Sequence, residues 1–390
     1  MEKRSYSDWA VPACASLGFL MIAAYLVHKY RGGDFFWDLQ IYLEALSTRR
    51  AGGDSYGALN SGRFVYSPLV LRFMSLIEAW LAPLLVVAYA GLGVALLTLK
   101  EGRFFLLALF LSVFCFFNFG FAVSVQTGNI TTVVHFAVLL VALASFSRGP
   151  GLFLGVVVLA AIIKPYFLSY LLLGLVIWPM QWRYLLASVA AVAAVVAVFG
   201  LQWVLLPVEF DQFVSSLQAQ ALGNGDGPGR DVGRAPYYFL GSFLGKEIGL
   251  VLHVACVALL GGLFVLYQSR IGKLMPDHDR TMLLFWFALI VCILINPRMK
   301  VYDWWVLQAA CCAVLLLHIR YRFVSPLVLL GLATVFFMLW VSERLTGTPS
   351  GFSLRVASIY TPIAAMLVFG WIGGRRRAKV LPKYVAAGFS

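Results

Sequence analysis

The sequence predicts an all-α polytopic membrane protein, and three observations carry that expectation. Of its 390 residues, 62% are hydrophobic and 12% charged, against roughly 45–50% and about 25% in a soluble domain. Mean hydropathy is +0.88. The apolar residues come in runs of about 20, the length of a membrane-crossing helix. No long polar segment exists to form a soluble catalytic domain, so any chemistry sits in embedded helices and their short loops. Lys and Arg number 30 against 17 Asp and Glu, a formal charge of +13. They fall in ones, twos and threes between apolar runs rather than on one water-facing surface, which excludes a nucleic-acid face and marks topology instead.

Taken in order, span-length runs are Ala10–His28, Ala79–Leu99, Phe104–Val123, Ile130–Ser147, Tyr184–Leu206, Gly249–Gln268, Thr281–Ile295, Trp304–His318, Val324–Ser342 and Ala357–Gly373. Gly151–Trp178 is too long for one untilted span, and Lys164-Pro165 breaks it. Two crossings there put Lys3/Arg4, Lys100/Arg103, Arg148, Arg183, Arg270/Lys273/Arg280, Arg320/Arg322 and Arg375–Arg377 on one side, the cytoplasmic one. The expectation is about twelve segments in a single transmembrane domain over residues 1–390, with both termini cytoplasmic. The first run lacks a small-residue cleavage site, so it reads as a span rather than a signal peptide.

The opposite, external face collects the unusual residues. Its loops are 29–66, 122–129, the Lys164-Pro165 break, 207–238, 296–303 and 343–355. Within loop 29–66, Phe36–Arg49 has helical spacing, with Trp37, Ile41, Ala45 and Leu46 on an apolar side, and reads as a helix along the membrane surface. Asp38 opens that helix, where a carboxylate is favoured and its pKa tends to fall. As a candidate acid it competes with Asp34 in the preceding Gly-Gly-Asp turn, and a plain first-turn acid is the simpler reading. Lys164 is a cation at a helix break inside the membrane zone, a functional candidate by default, with a snorkelling lysine as the alternative. Arg298 and Lys300 place further cations beside aromatics, and Lys164 with Arg298 suits an anionic headgroup. Gln126-Thr127-Gly128-Asn129 reads as a helix start with Thr131, Thr132 and His135 following. The stretch 223–236 is flexible by composition and carries Asn224, Arg230 and Arg234. The six cysteines read as small buried hydrophobes, and the five histidines are scattered, so no structural metal is expected.

Several blocks in order resemble the bacterial polyprenol-phosphate-dependent glycosyltransferases of the C-type (GT-C) fold, a group that includes mycobacterial mannosyltransferases. They are Asp38-x-x-x-Tyr42, Gly52-x-x-x-Tyr56, Val65-Tyr66-Ser67-Pro68-Leu69, Gln126-x-x-Asn129, Lys164-Pro165-Tyr166, Gly223-Asn224-Gly225 and Pro297-Arg298. The resemblance covers roughly residues 30–310 and departs after Arg298, where Met299-Lys300-Val301-Tyr302-Asp303 replaces the Trp and His often seen. It implies a GT-C fold with interfacial helices in a bacterial plasma membrane. It also implies an inverting transfer of one mannose- or arabinofuranose-type sugar from a polyprenyl phosphate to an acceptor hydroxyl on the external face. Asp38 takes the role of general base, and Lys164, Arg298 and Lys300 hold the donor phosphate. Asp34, Tyr42, Tyr66, Gln126, Asn129, Tyr166, Asn224 and Tyr302 line the substrate. A glycolipid, polysaccharide or exported protein is the expected acceptor, and no obligatory metal or other cofactor is expected. Two other classes fit a chain of this kind: a lipid-linked glycan ligase or polymerase, and a lipid-sugar flippase without chemistry.

Overall fold

In lipid, each backbone N–H and C=O must find its partner within its own segment, which leaves the helix as the economical solution for every apolar run. The computed structural model describes residues 7–33, 35–57, 64–117, 119–147, 149–178, 181–221, 237, 244–296, 299–346, 360–368 and 370–373, and among them it has helices and no strand. The helices are α1 (Ser7–Arg31), α2 (Trp37–Arg50), α3 (Pro68–Leu76), α4 (Leu81–Thr98), α5 (Lys100–Phe116), α6 (Gly120–Thr127), α7 (Ile130–Ala144) and α8 (Gly151–Ile163). A 3-10 turn, Pro165–Tyr170, leads to α9 (Leu171–Ile177), α10 (Trp182–Leu205) and α11 (Pro207–Ala221). Then come α12 (Lys246–Ile271), α13 (Asp277–Leu294), α14 (Val301–Arg320) and α15 (Leu327–Thr346). Among the described residues, five helices are long and apolar enough to cross a membrane, or six if the bent pair α5–α6 forms one span. This is an all-α membrane protein of several passes.

Helix α14 is the axis of the bundle. Its apolar window is wholly enclosed, whereas those of α1, α4, α10 and α12 are 17–22% buried and turn most of their side chains outward. Around it, α5 packs against both α1 and α14, α13 against α14, and α12 against α13. Aromatic rings fill the seams: Trp305 of α14 meets Phe121 at 5.2 Å and Phe136 at 5.1 Å, and Phe105 stacks on Trp286 at 5.9 Å. A smaller core forms beside the bundle from α2, α3, the turn at Tyr56, Phe64, Tyr66 and Phe213 of α11.

The helix expected in the first external loop is present as α2, with Ile41, Ala45 and Leu46 inward, but Trp37 at its first position is exposed. Three other expectations change. Phe104–Val123 is not one straight span: α5 and α6 meet at 110°, with Phe117 at a φ of 45° between them. The first half of loop 207–238 is helix α11, whose Phe213 is needed to close the smaller core. Cys256 is exposed on α12, while the other five cysteines are buried. The break at Lys164 holds: its backbone is extended (φ −145°, ψ 118°), because the following proline crowds a helical conformation at that residue.

Candidate active site

Asp38 sits in the first turn of α2, yet it caps nothing. Its carboxylate is buried and accepts a 2.7 Å hydrogen bond from the Asn129 side-chain amide, 91 residues along the chain. Asn129 is itself the N-cap of α7, its other side-chain atom accepting from the Thr131 N–H at 2.9 Å. One asparagine thus closes a helix end and holds the acid. Burial raises the Asp38 pKa above the ordinary carboxylate value. The hydrogen bond from Asn129, the nearby Thr127 side chain and the charges of Lys164 and Lys300 oppose that rise without cancelling it. Burial outweighs the helix-end effect that sequence alone suggests, since the first-turn amides spend no hydrogen bond on the side chain.

The approach of α2 to the α6–α7 corner is enforced locally. Phe36, the residue before α2, takes a left-handed backbone (φ 58°, ψ 37°) and donates its N–H to the Gln126 carbonyl at 2.7 Å. Its ring lies over Gly128, itself at φ +71°, where an added Cβ would come within 2.7 Å of the ring. Gln126 and Thr127 therefore end α6 rather than start a helix, and Gly128 is the left-handed residue that lets the chain turn into α7. Gly128→Ala is expected to destabilise the protein by about 1–3 kcal/mol and to separate Asp38 from Asn129. A melting curve in detergent, with wild-type behaviour as the contrary result, checks it.

Around the acid stands a wall of hydroxyls. Tyr42 and Tyr66 pair at 3.0 Å, and the Ile130 N–H donates to Tyr42 at 3.3 Å. Gln126 accepts from Tyr25 at 2.8 Å, and Tyr89 donates to the Asn129 carbonyl at 2.8 Å. The Lys164 ammonium lies 5.1 Å from the centre of the Tyr66 ring. Lys164 and Lys300 are half-buried, and the charges of both act on Asp38. Beside the break an apolar groove of about 390 Å³ runs between Pro165 and Leu168 on one side and Val195, Phe199 and Trp203 of α10 on the other.

Of the residues singled out from the sequence, Asp38, Tyr42, Tyr66, Gln126, Asn129, Lys164, Tyr166 and Lys300 come together at this end of the bundle. Tyr302 is buried at the start of α14. Asp34, Asn224 and Arg298 lie outside the described residues. The structure adds three to which the sequence alone assigns no site role: Asp303, His135 and Asn296. The Asp303 carboxylate receives Tyr166 Oη at 2.7 Å, His135 Nε2 at 3.0 Å, the Lys300 N–H at 3.0 Å and Asn296 Nδ2 at 3.3 Å. An acid opening a helix destined for a protein interior is the signal that could have found it. No protein-family model, no curated protein and no solved structure matches the chain.

Proposed function

We propose that the chain is a membrane glycosyltransferase of the GT-C fold. It moves one sugar, of mannose or arabinofuranose type, from a polyprenyl phosphate to an acceptor hydroxyl at the external membrane face. The observation that supports this reading most is the arrangement at the helix break: a buried carboxylate with a raised pKa feels the charges of two half-buried ammonium groups, and an apolar groove adjoins the break at Pro165. A lipid phosphate needs that set, cations for its head and an apolar track for its chain. On this reading the bent pair α5–α6, the shorter helices α7, α8, α9, α13 and α15 and the helical stretch 360–373 join the five long ones to make about twelve segments, with both termini cytoplasmic in a bacterial plasma membrane.

The chemistry follows. Ionised Asp38 takes the proton of the acceptor hydroxyl as that oxygen bonds to the anomeric carbon, and the bond from that carbon to the phosphate oxygen breaks on the opposite face. Configuration inverts, the proton stays on Asp38, and the polyprenyl phosphate leaves with one more negative charge, which Lys164 and Lys300 stabilise in a partly dehydrated site. Because the Asp38 pKa is raised, the active, ionised form is lost as pH falls through a value above the ordinary carboxylate range. Asn129→Ala removes a bond that favours the ionised form, so the acid limb of kcat/KM moves to higher pH; an unmoved limb counts against Asn129 tuning the base.

The deciding experiment offers purified protein in nanodiscs a panel of polyprenyl-phosphate sugars with membrane-extract acceptors. Transfer from one donor, and none from nucleotide sugars, is the expected result. No transfer from any donor, combined with movement of labelled lipid-sugar across vesicles, replaces this reading with the flippase.

A further inference from the structure

Asp303 is the most heavily bonded side chain near the site among the described residues, and the transfer chemistry above leaves it without a part to play. A carboxylate offers about four acceptor positions, and all four are taken by donors at 2.7–3.3 Å. It has no lone pair left for a substrate proton, so it is not a second base. Its donors belong to three separate elements. Tyr166 follows Lys164 by two residues in the 3-10 turn. Asn296 and the Lys300 N–H belong to the link before α14 that carries the Lys300 ammonium. His135 belongs to α7, whose cap Asn129 holds Asp38. In the neutral imidazole, Nε2 carries the hydrogen given to Asp303, and Nδ1 accepts from Tyr170 Oη at 2.6 Å, which extends the tie to a second residue of the turn.

We propose that Asp303 is a positioning residue: by gathering donors from the Lys164 turn, the Lys300 link and α7, it sets the two ammonium groups at the separation that grips one phosphate. The proposal rests on the transferase reading, whose donor carries that phosphate. The sign of the effect separates positioning from plain electrostatics. The Lys164 charge acts on Asp303 as well as on Asp38, so a carboxylate there opposes a second anion through space. Electrostatics alone therefore has Asp303→Asn tighten phosphate binding, whereas lost positioning weakens it.

The test is a double-mutant cycle on the full chain in nanodiscs, reading the dissociation constant for citronellyl phosphate, a short prenyl monophosphate, with citronellol as the control. Asp303→Asn is expected to weaken binding about tenfold or more, and Lys300→Met similarly. The double variant should be within about twofold of the weaker single one, since residues acting through one another are not additive. Additive losses, tighter binding in Asp303→Asn, or a lowered melting temperature with an unchanged constant each overturn the proposal and leave the transferase reading standing. If wild type binds the phosphate no better than citronellol, both fall together. Should Asp303→Asn not fold, Tyr166→Phe takes its place. It removes one donor and keeps the carboxylate, with an expected loss of about threefold, again non-additive with Lys300→Met; additivity there overturns the proposal equally.

Discussion

Asp38→Asn reduces sugar transfer by about 10²–10⁴-fold, with folding and prenyl phosphate binding retained. The substitution suits the question because the Asn129 amide donates to Asp38 Oδ2, and an asparagine at position 38 can present its carbonyl oxygen to the same donor. The corner built by Phe36 and Gly128 is left alone. What disappears is the proton acceptor, so the loss belongs in kcat rather than in the donor KM. The residual activity also loses the acid limb that ionisation of Asp38 imposes. A single-turnover measurement from pH 5 to 9 reads both; wild-type kcat in the variant ends the base assignment.

Lys164→Met comes second, with an expected loss of about 10²–10³-fold in kcat and a higher donor KM. Methionine keeps much of the side-chain length and apolar stem, so packing over the Tyr66 ring, now 5.1 Å from the ammonium, is disturbed little. Two effects add. The leaving phosphate loses a cation as its charge grows, and Asp38 loses one of the charges that hold its pKa down. With that opposing influence gone the pKa rises further, so the acid limb must shift to higher pH as kcat falls. A variant that loses activity without moving the limb places Lys164 away from Asp38. A variant that moves the limb without losing activity removes Lys164 from the phosphate.

How much of this was legible in the chain depends on whether a residue's role is local. Lys164-Pro165 is legible because the proline acts on its neighbour whatever surrounds it, and the break is where it should be. Helix α2 and its acid are legible from spacing and position. The partner of that acid is not, since Asn129 looks like a cap and is one, and nothing in a cap announces a carboxylate 91 residues away. The His135–Asp303 pair spans 168 residues, so each member reads alone as an oddity, a histidine in an apolar helix and an acid in an unusual loop. The bend between α5 and α6 escapes for the opposite reason: the run is apolar but for Ser112 and Asn118, so its mean hydropathy reads as one span and hides a corner set by the backbone at Phe117.

The enclosed axis α14 has a bearing on how the protein is made. Among the five span-length helices it has the lowest mean hydropathy, 1.4 against 2.0–2.5 for the others, and it carries Asp303, Gln308 and His318 into the interior. Alone in lipid, such a segment would be a poorer stop for the insertion machinery than its neighbours, since the side chains of Gln308 and His318 would then face hydrocarbon. It becomes acceptable once α5, α7 and α13 surround it. All three precede it in the chain, so by the time ribosomes deliver α14 its receptacle has been synthesised. The order of the helices is in that sense an assembly schedule, with the most polar member held back until there is protein, rather than lipid, to receive it.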